Sequence, residues 1–138
     1  MNDGFTLDPQ LARDTAFVAD RALCRVLLMD DARFPWLVLV PRRAGLAELF
    51  DLGAAERTQL WSELERAGEA LRAAMPFTKL NVGALGNVVR QLHVHVVARR
   101  EDDAAWPGPV WGHGPRRPYD ESARAQRVST IAARLGMD

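Results

Sequence analysis

The chain has one cysteine, Cys24, and one lysine, Lys79, and its 18 basic and 18 acidic residues cancel. A single cysteine excludes an intrachain disulfide and any zinc site built on cysteine pairs. Cys24 lies in the apolar run Leu23-Cys24-Arg25-Val26-Leu27-Leu28, which predicts a buried, inert thiol. Zero net charge argues against a dedicated nucleic-acid binder, which carries a basic excess. It leaves room for a small anionic ligand, for which a few local donors suffice. The near absence of lysine beside many arginines reads as compositional bias. No stretch approaches the ~20 apolar residues of a membrane helix, and no basic-then-apolar leader opens the chain. The expectation is a cytoplasmic protein with no membrane partner.

What is present fits one domain. The 138 residues are 48% hydrophobic and 26% charged, enough for a real core in a single unit spanning 1–138. Asp8-Pro9 reads as an N-cap with proline at the first helical position, opening a short helix to about Val18. Leu23 to Met29 and Trp36 to Val40 read as strands around the turn Asp30–Pro35 and predict an antiparallel hairpin. Leu46 to Phe50 reads as one helical turn. Leu60, Leu64, Ala67, Leu71 and Ala74 recur at helical spacing and predict a helix over about Ala54–Ala74, stopped by Pro76. Glu56, Arg57, Glu63, Glu65, Arg66, Glu69 and Arg72 fall mostly off that stripe. Thr78–Gly83 and Val89–Arg99 predict a second hairpin. The core then spans about 22–100. Residues 101–119 form a Pro-, Gly- and Trp-rich segment, too long to be an idle connection. Asp120 caps a last helix, within 120–136, that buries Val128, Ile131, Ala132 and Leu135. The fold class is α+β, an antiparallel sheet with helices packed on it.

Three residues carry the chemistry. In Gln91-Leu92-His93-Val94-His95-Val96-Val97 polar and apolar residues alternate with period two. An extended strand puts Gln91, His93 and His95 on one face, roughly 7 Å apart. A neutral imidazole is a competent nucleophile near pH 7, its ordinary pKa being ~6.5. Attack on phosphorus gives a phosphoramidate that water later hydrolyses, dividing one hard substitution into two. Such a nucleophile needs an acceptor to fix its other ring nitrogen. The phosphate needs donors, which a second imidazole and the backbone of Gly86-Asn87-Val88 are placed to supply.

These residues resemble the histidine triad (HIT) motif, His-φ-His-φ-His-φ-φ with φ apolar, with glutamine at the first position. Leu80-Asn81-Val82-Gly83 is similar to the family's asparagine-bearing strand. Val26–Asp30 followed by Leu37–Arg42 is similar to its first hairpin. Placing His93 and His95 first and second instead would make Ala98-Arg99 the apolar pair. The preferred register satisfies all four apolar positions. The resemblance implies a nucleotide-binding α+β fold, usually a symmetric homodimer. It implies hydrolysis or transfer of nucleoside monophosphates, for example from a phosphoramidate, without a cofactor. His93 would be the nucleophile, and His95 would contact the α-phosphate or the leaving atom. Asn81 would hold the phosphate region or fix the nucleophile, and Asp30 would accept from the ribose hydroxyls. Gln91 cannot change charge near neutral pH, so its expected role is orientation.

Two other readings stay open. Without proton help from Gln91 the chain could bind nucleotides and turn them over little. A His-x-His pair also ligates metals if a further histidine or carboxylate joins it, and His113 is the available one. Trp106 and Trp111 are expected against the sheet or a dimer partner.

Overall fold

The computed structural model describes residues 4–136. The chain runs through helix α1 (Pro9–Asp14), strands β1 (Thr15–Asp20), β2 (Cys24–Met29) and β3 (Trp36–Pro41), and a 3-10 turn (Leu49–Asp51). Helix α2 (Ala54–Ala74), strands β4 (Lys79–Gly83) and β5 (Val94–Arg99), and helix α3 (Glu121–Leu135) follow. The strands form one sheet in the order β1-β2-β3-β5-β4, with every neighbouring pair antiparallel.

Both expected hairpins are present, and α2 has the predicted limits. Asp8 accepts from the Gln10 N–H ahead of Pro9, and Asp120 accepts from the Ala123 N–H. Each satisfies a backbone donor that a helix start leaves free.

Three local readings are corrected. The first helix stops at Asp14, and residues 15–20 form a strand on β2. Thr15, Phe17 and Val18 are strand-favouring types, and pairing with β2 outweighs a short helix with a weak stripe. The histidine strand begins at Val94, not Val89. The ladder to β4 ends at Gly83 opposite His95, and the Leu92 N–H donates to the Leu46 carbonyl instead. Glu63 is not on the outer face of α2. It is 4% exposed, and its carboxylate accepts from the backbone N–H groups of Leu23 and Cys24 at 2.8 Å each and from the Gln59 amide at 2.7 Å. A buried carboxylate is tolerated because three donors meet it.

The sheet has two covered faces. Helices α2 and α3 pack Leu60, Ala67, Leu71, Ile131 and Leu135 against Val26, Leu28, Leu37, Leu39, Val94 and Val96. The other face carries Leu27, Trp36, Val38, Val40 and Val97. It is covered by the chain's own N-terminal residues Phe5, Leu7 and Leu11 and by Ala105, Val110 and Trp111. Burial on both sides explains why β3 reads as an unbroken apolar run and not as alternation. Cys24 is fully buried, and burial followed by the charge of Glu63 pushes its thiol far above the ordinary range. Among the described residues no helix is long and apolar enough to cross a membrane.

Candidate functional site

His95 lies within β5 and His93 just before it, on the face away from the helices. Each residue is 6% exposed. Their centroids are 5.0 Å apart at an interplanar angle of 72°. The chain leaves the ladder at His93, so the two rings meet edge to face instead of standing in an extended row.

Each imidazole has one defined partner at Nδ1, and the two partners are opposite in kind. His93 Nδ1 is 2.7 Å from the backbone carbonyl oxygen of Gln91. A carbonyl only accepts, so this nitrogen carries the proton and the Nε2 lone pair is free. His95 Nδ1 is 3.0 Å from Trp36 Nε1. An indole N–H only donates, so here Nδ1 is bare and a neutral ring carries its proton on Nε2. Burial, and then the charge of His93, pulls the His95 pKa down to about 4. Trp111 stacks edge-on against His95 with centroids 5.4 Å apart and also meets Trp36 at 6.4 Å. Its indole N–H is buried without a hydrogen-bond partner among the described residues.

The side chain of Gln91 turns to the N-terminal segment. Its Oε1 accepts from the Asp8 N–H at 2.9 Å, and its Nε2 donates to the Thr6 carbonyl at 2.8 Å. It is the main chain of Gln91, not its amide, that orients His93. A cavity of about 130 Å³ adjoins His93, with Gln91, Ala84, Gly86 and Glu48 in its wall. Leu49, Phe50 and Leu85, all substantially exposed, also line it. Gly86 has φ 75°, a conformation that glycine adopts without strain.

Among the other expected site residues, Asn81 belongs to β4, two positions before Gly83, which faces His95 in the ladder. Its Oδ1 accepts from Arg99 Nη1 at 2.8 Å. Asn87 and Val88 are exposed at the tip of the connection, and neither lines the cavity. Asp30 directly follows β2. Its carboxylate accepts from the Tyr119 N–H at 3.0 Å and lies 3.5 Å from Arg124. His113 is exposed. Among the described residues no three His, Cys, Asp or Glu side chains gather as a set of metal ligands.

Three participants were not singled out from the sequence as partners of the histidine face. Trp36 and Trp111 enclose His95. Arg99, 1% exposed, is the third, placed four residues beyond His95 on the same strand face. It pairs in two places with Asp103 (2.7 and 3.1 Å) and also bonds Asn81 and the Gly108 carbonyl. This network ties the Trp-rich segment to the sheet. The period-two continuation His93, His95, Val97, Arg99 is the only signal that placed it there.

The model of the family described as "HIT domain" matches residues 10–102. No curated protein matches the chain. A histidine triad (HIT) protein from Sinorhizobium meliloti is 45% identical, with 95% of this chain and 97% of that chain covered at a TM-score of 0.92. A histidine triad protein from Bradyrhizobium japonicum is 41% identical, with 95% and 98% covered at a TM-score of 0.92. A hypothetical histidine triad nucleotide-binding protein from Sulfolobus tokodaii is 15% identical, with 88% and 83% covered at a TM-score of 0.68, a likeness of fold alone. The glutamine-led motif, the α+β sheet and these matches agree: this chain belongs to the histidine triad family.

Proposed function

We propose that the protein is a nucleotide hydrolase or nucleotidyl transferase. It acts at the α-phosphate of a nucleoside phosphoramidate or related nucleotide and forms a covalent nucleotidyl-His93. The observation that carries this reading is the 2.7 Å contact between His93 Nδ1 and the Gln91 carbonyl. It fixes the tautomer in which Nε2 is a nucleophile, with a second imidazole 5.0 Å away.

The Nε2 lone pair attacks the α-phosphorus. The bond to the leaving group breaks, and its electron pair departs with that group. His95 donates from Nε2 to the reacting centre, where charge is redistributed in the transition state. Water then attacks phosphorus, the P–N bond returns its pair to His93 Nε2, and the proton of water goes to solvent. The cavity beside His93, about 130 Å³, takes a phosphoryl-sized group. Sites for whole drug-sized ligands span about 300–1,000 Å³, so the nucleoside lies outside it. Asn81, with its carbonyl held by Arg99, serves the phosphate region, and the backbone at Gly86 supplies a donor. The functional unit in this reading is a cytoplasmic homodimer. Support for the dimer comes from the outer edge of β4, where exposed Val82 and Trp61 line an apolar groove with Leu64, Phe77 and Leu80.

Intact-mass measurement after incubation with a nucleoside phosphoramidate or an aryl ester of AMP tests the reading. A nucleotidyl adduct is expected on wild type and none on His93→Ala. Turnover with an adduct that persists in His93→Ala removes His93 from the mechanism. Binding of AMP with neither turnover nor adduct reduces the protein to a nucleotide-binding module.

A further inference from the structure

Among the described residues, the ring and charged groups that face His95 can be named element by element, beside its apolar β3 ladder partner Val38. β3 contributes Trp36, whose indole N–H donates to Nδ1. β4 contributes Gly83, its ladder partner. The Trp-rich segment contributes the ring of Trp111. Its own chain contributes His93, the one titratable neighbour that acts on its charge. Arg99, next but one along the same face, is already paired with Asp103 at 2.7 Å. Among the described residues no carboxylate hydrogen-bonds or pairs with the ring, and His95 is buried.

This geometry fixes more than orientation. To become an acid, His95 must hold protons on both nitrogens. The second proton would collide with the Trp36 N–H that already points at Nδ1. Nor can His95 give up its Nε2 proton and recover one at Nδ1, because the indole does not release its own proton near neutral pH. Gln91, at the other end of the motif, has no proton to give.

We propose, resting on the nucleotidyl-transfer reading above, that Trp36 locks His95 as a neutral Nε2–H donor. The site is thereby selective for nucleotides whose α-phosphate carries a weakly basic oxyanion as leaving group, over those that carry an amine. When a P–O bond to a phosphate, carboxylate or phenolate breaks, the electron pair stays on an oxygen stable as an anion, and a hydrogen bond from His95 suffices. When a P–N bond to an amine breaks, the amine nitrogen needs a proton as it departs, unlike the His93 ring, which leaves as a neutral imidazole. Among the described residues facing His95 none supplies that proton, so transfer from a phosphoramidate is slow, not absent. Trp36 is a positioning residue in this scheme: it acts through His95 and touches no reacting atom.

Two measurements on the intact protein test this. In ¹⁵N-labelled wild type, the ring nitrogens of His95 should show a bare Nδ1 and a protonated Nε2, unchanged from pH 8 to pH 5. In Trp36→Phe, Nδ1 should begin to take up a proton in that range. A doubly protonated or Nδ1–H ring in wild type overturns the proposal. In parallel, turnover is compared between adenosine 5′-phosphoramidate and a graded series of aryl esters of AMP. Wild-type rates should fall steeply as the phenol becomes more basic, and the p-nitrophenyl ester should exceed the phosphoramidate by at least about a hundredfold, the low end of what proton donation contributes. Trp36→Phe should narrow that ratio through kcat and leave KM within a few-fold. A ratio unmoved by Trp36→Phe, or a flat aryl series, overturns the proposal. Should Trp36→Phe not fold, the wild-type series and nitrogen shifts still decide. Absence of turnover and of a His93 adduct with every substrate sinks the nucleotidyl-transfer reading and the leaving-group preference with it. The locked ring then stands or falls on its nitrogen shifts alone.

Discussion

Restoring the family's first histidine by Gln91→His separates two roles of that position. The amide of Gln91 joins the Asp8 N–H and the Thr6 carbonyl. Each such neutral hydrogen bond contributes about 0.5–1.5 kcal/mol. An imidazole can keep one of the two, so the substitution should cost about 1 kcal/mol, and Gln91→Ala, which loses both, about 2 kcal/mol. The loss falls on the N-terminal segment, so amide exchange at Asp8 should quicken, by roughly 30-fold in Gln91→Ala at tenfold per 1.4 kcal/mol. Turnover should change by less than about tenfold, because His93 is held by the Gln91 carbonyl, which every substitution retains; a proton-relay role would instead be worth about 10²–10⁴. The assays are hydrogen exchange followed at the Asp8 amide and steady-state turnover of an aryl ester of AMP. A rate gain above a hundredfold in Gln91→His, or unaltered Asp8 exchange in Gln91→Ala, would refute the reasoning.

Glu63→Ala should lower unfolding stability by about 2–6 kcal/mol, since it strands the buried N–H groups of Leu23 and Cys24 at about 1–3 kcal/mol each; a urea titration showing a loss under 1 kcal/mol contradicts this. His95 stays neutral in the fold down to about pH 4, whereas an unfolded histidine takes up its proton near 6.5. Between these values the unfolded chain binds more protons, so stability is complete above about pH 6.5 and is lost progressively toward pH 4, by about 3 kcal/mol in all. His95→Gln, whose amide oxygen can still accept from Trp36, should flatten that slope in denaturation curves taken across the range. If the proposed homodimer forms through the outer edge of β4, Val82→Lys, which places a charge on that edge strand, a device that blocks strand pairing, should give a monomer in light scattering where wild type gives a dimer; a dimer in both moves the interface elsewhere.

Much of the architecture was legible because its causes are local. Helix α2 follows from a stripe of five residues over about four turns, ended by Pro76, and α3 from Asp120 and its apolar side. Strands β2 and β3 follow from apolar runs around a turn in which Asp31 accepts from the Arg33 N–H two residues on. Illegible features depend on partners distant in sequence. Residues 15–20 become a strand because β2 offers an edge. Glu63 turns inward because two backbone donors 39 and 40 residues away need an acceptor. The motif announced His93 and His95, whereas the partners of Asp30, Tyr119 and Arg124, lie 89 and 94 positions on. Nothing near Asp30 in the sequence marked those partners.

The two histidines show the same division at the scale of single protons. His93 receives its tautomer from a carbonyl two residues earlier, so its free Nε2 lone pair is preset by local chain geometry and survives any change of side chain at position 91. His95 receives the opposite tautomer from Trp36, 59 residues away, through sheet register. Val38 pairs with His95 and Trp36 with Val97, which sets Trp36 diagonal to His95 on one face. Such diagonal neighbours lie ~7–8 Å apart, within reach of an indole. A slip of one residue between β3 and β5 would turn Trp36 toward the helices and expose Nδ1 to any passing proton. The proton inventory of the site is therefore a property of strand pairing, and a motif read residue by residue cannot contain it.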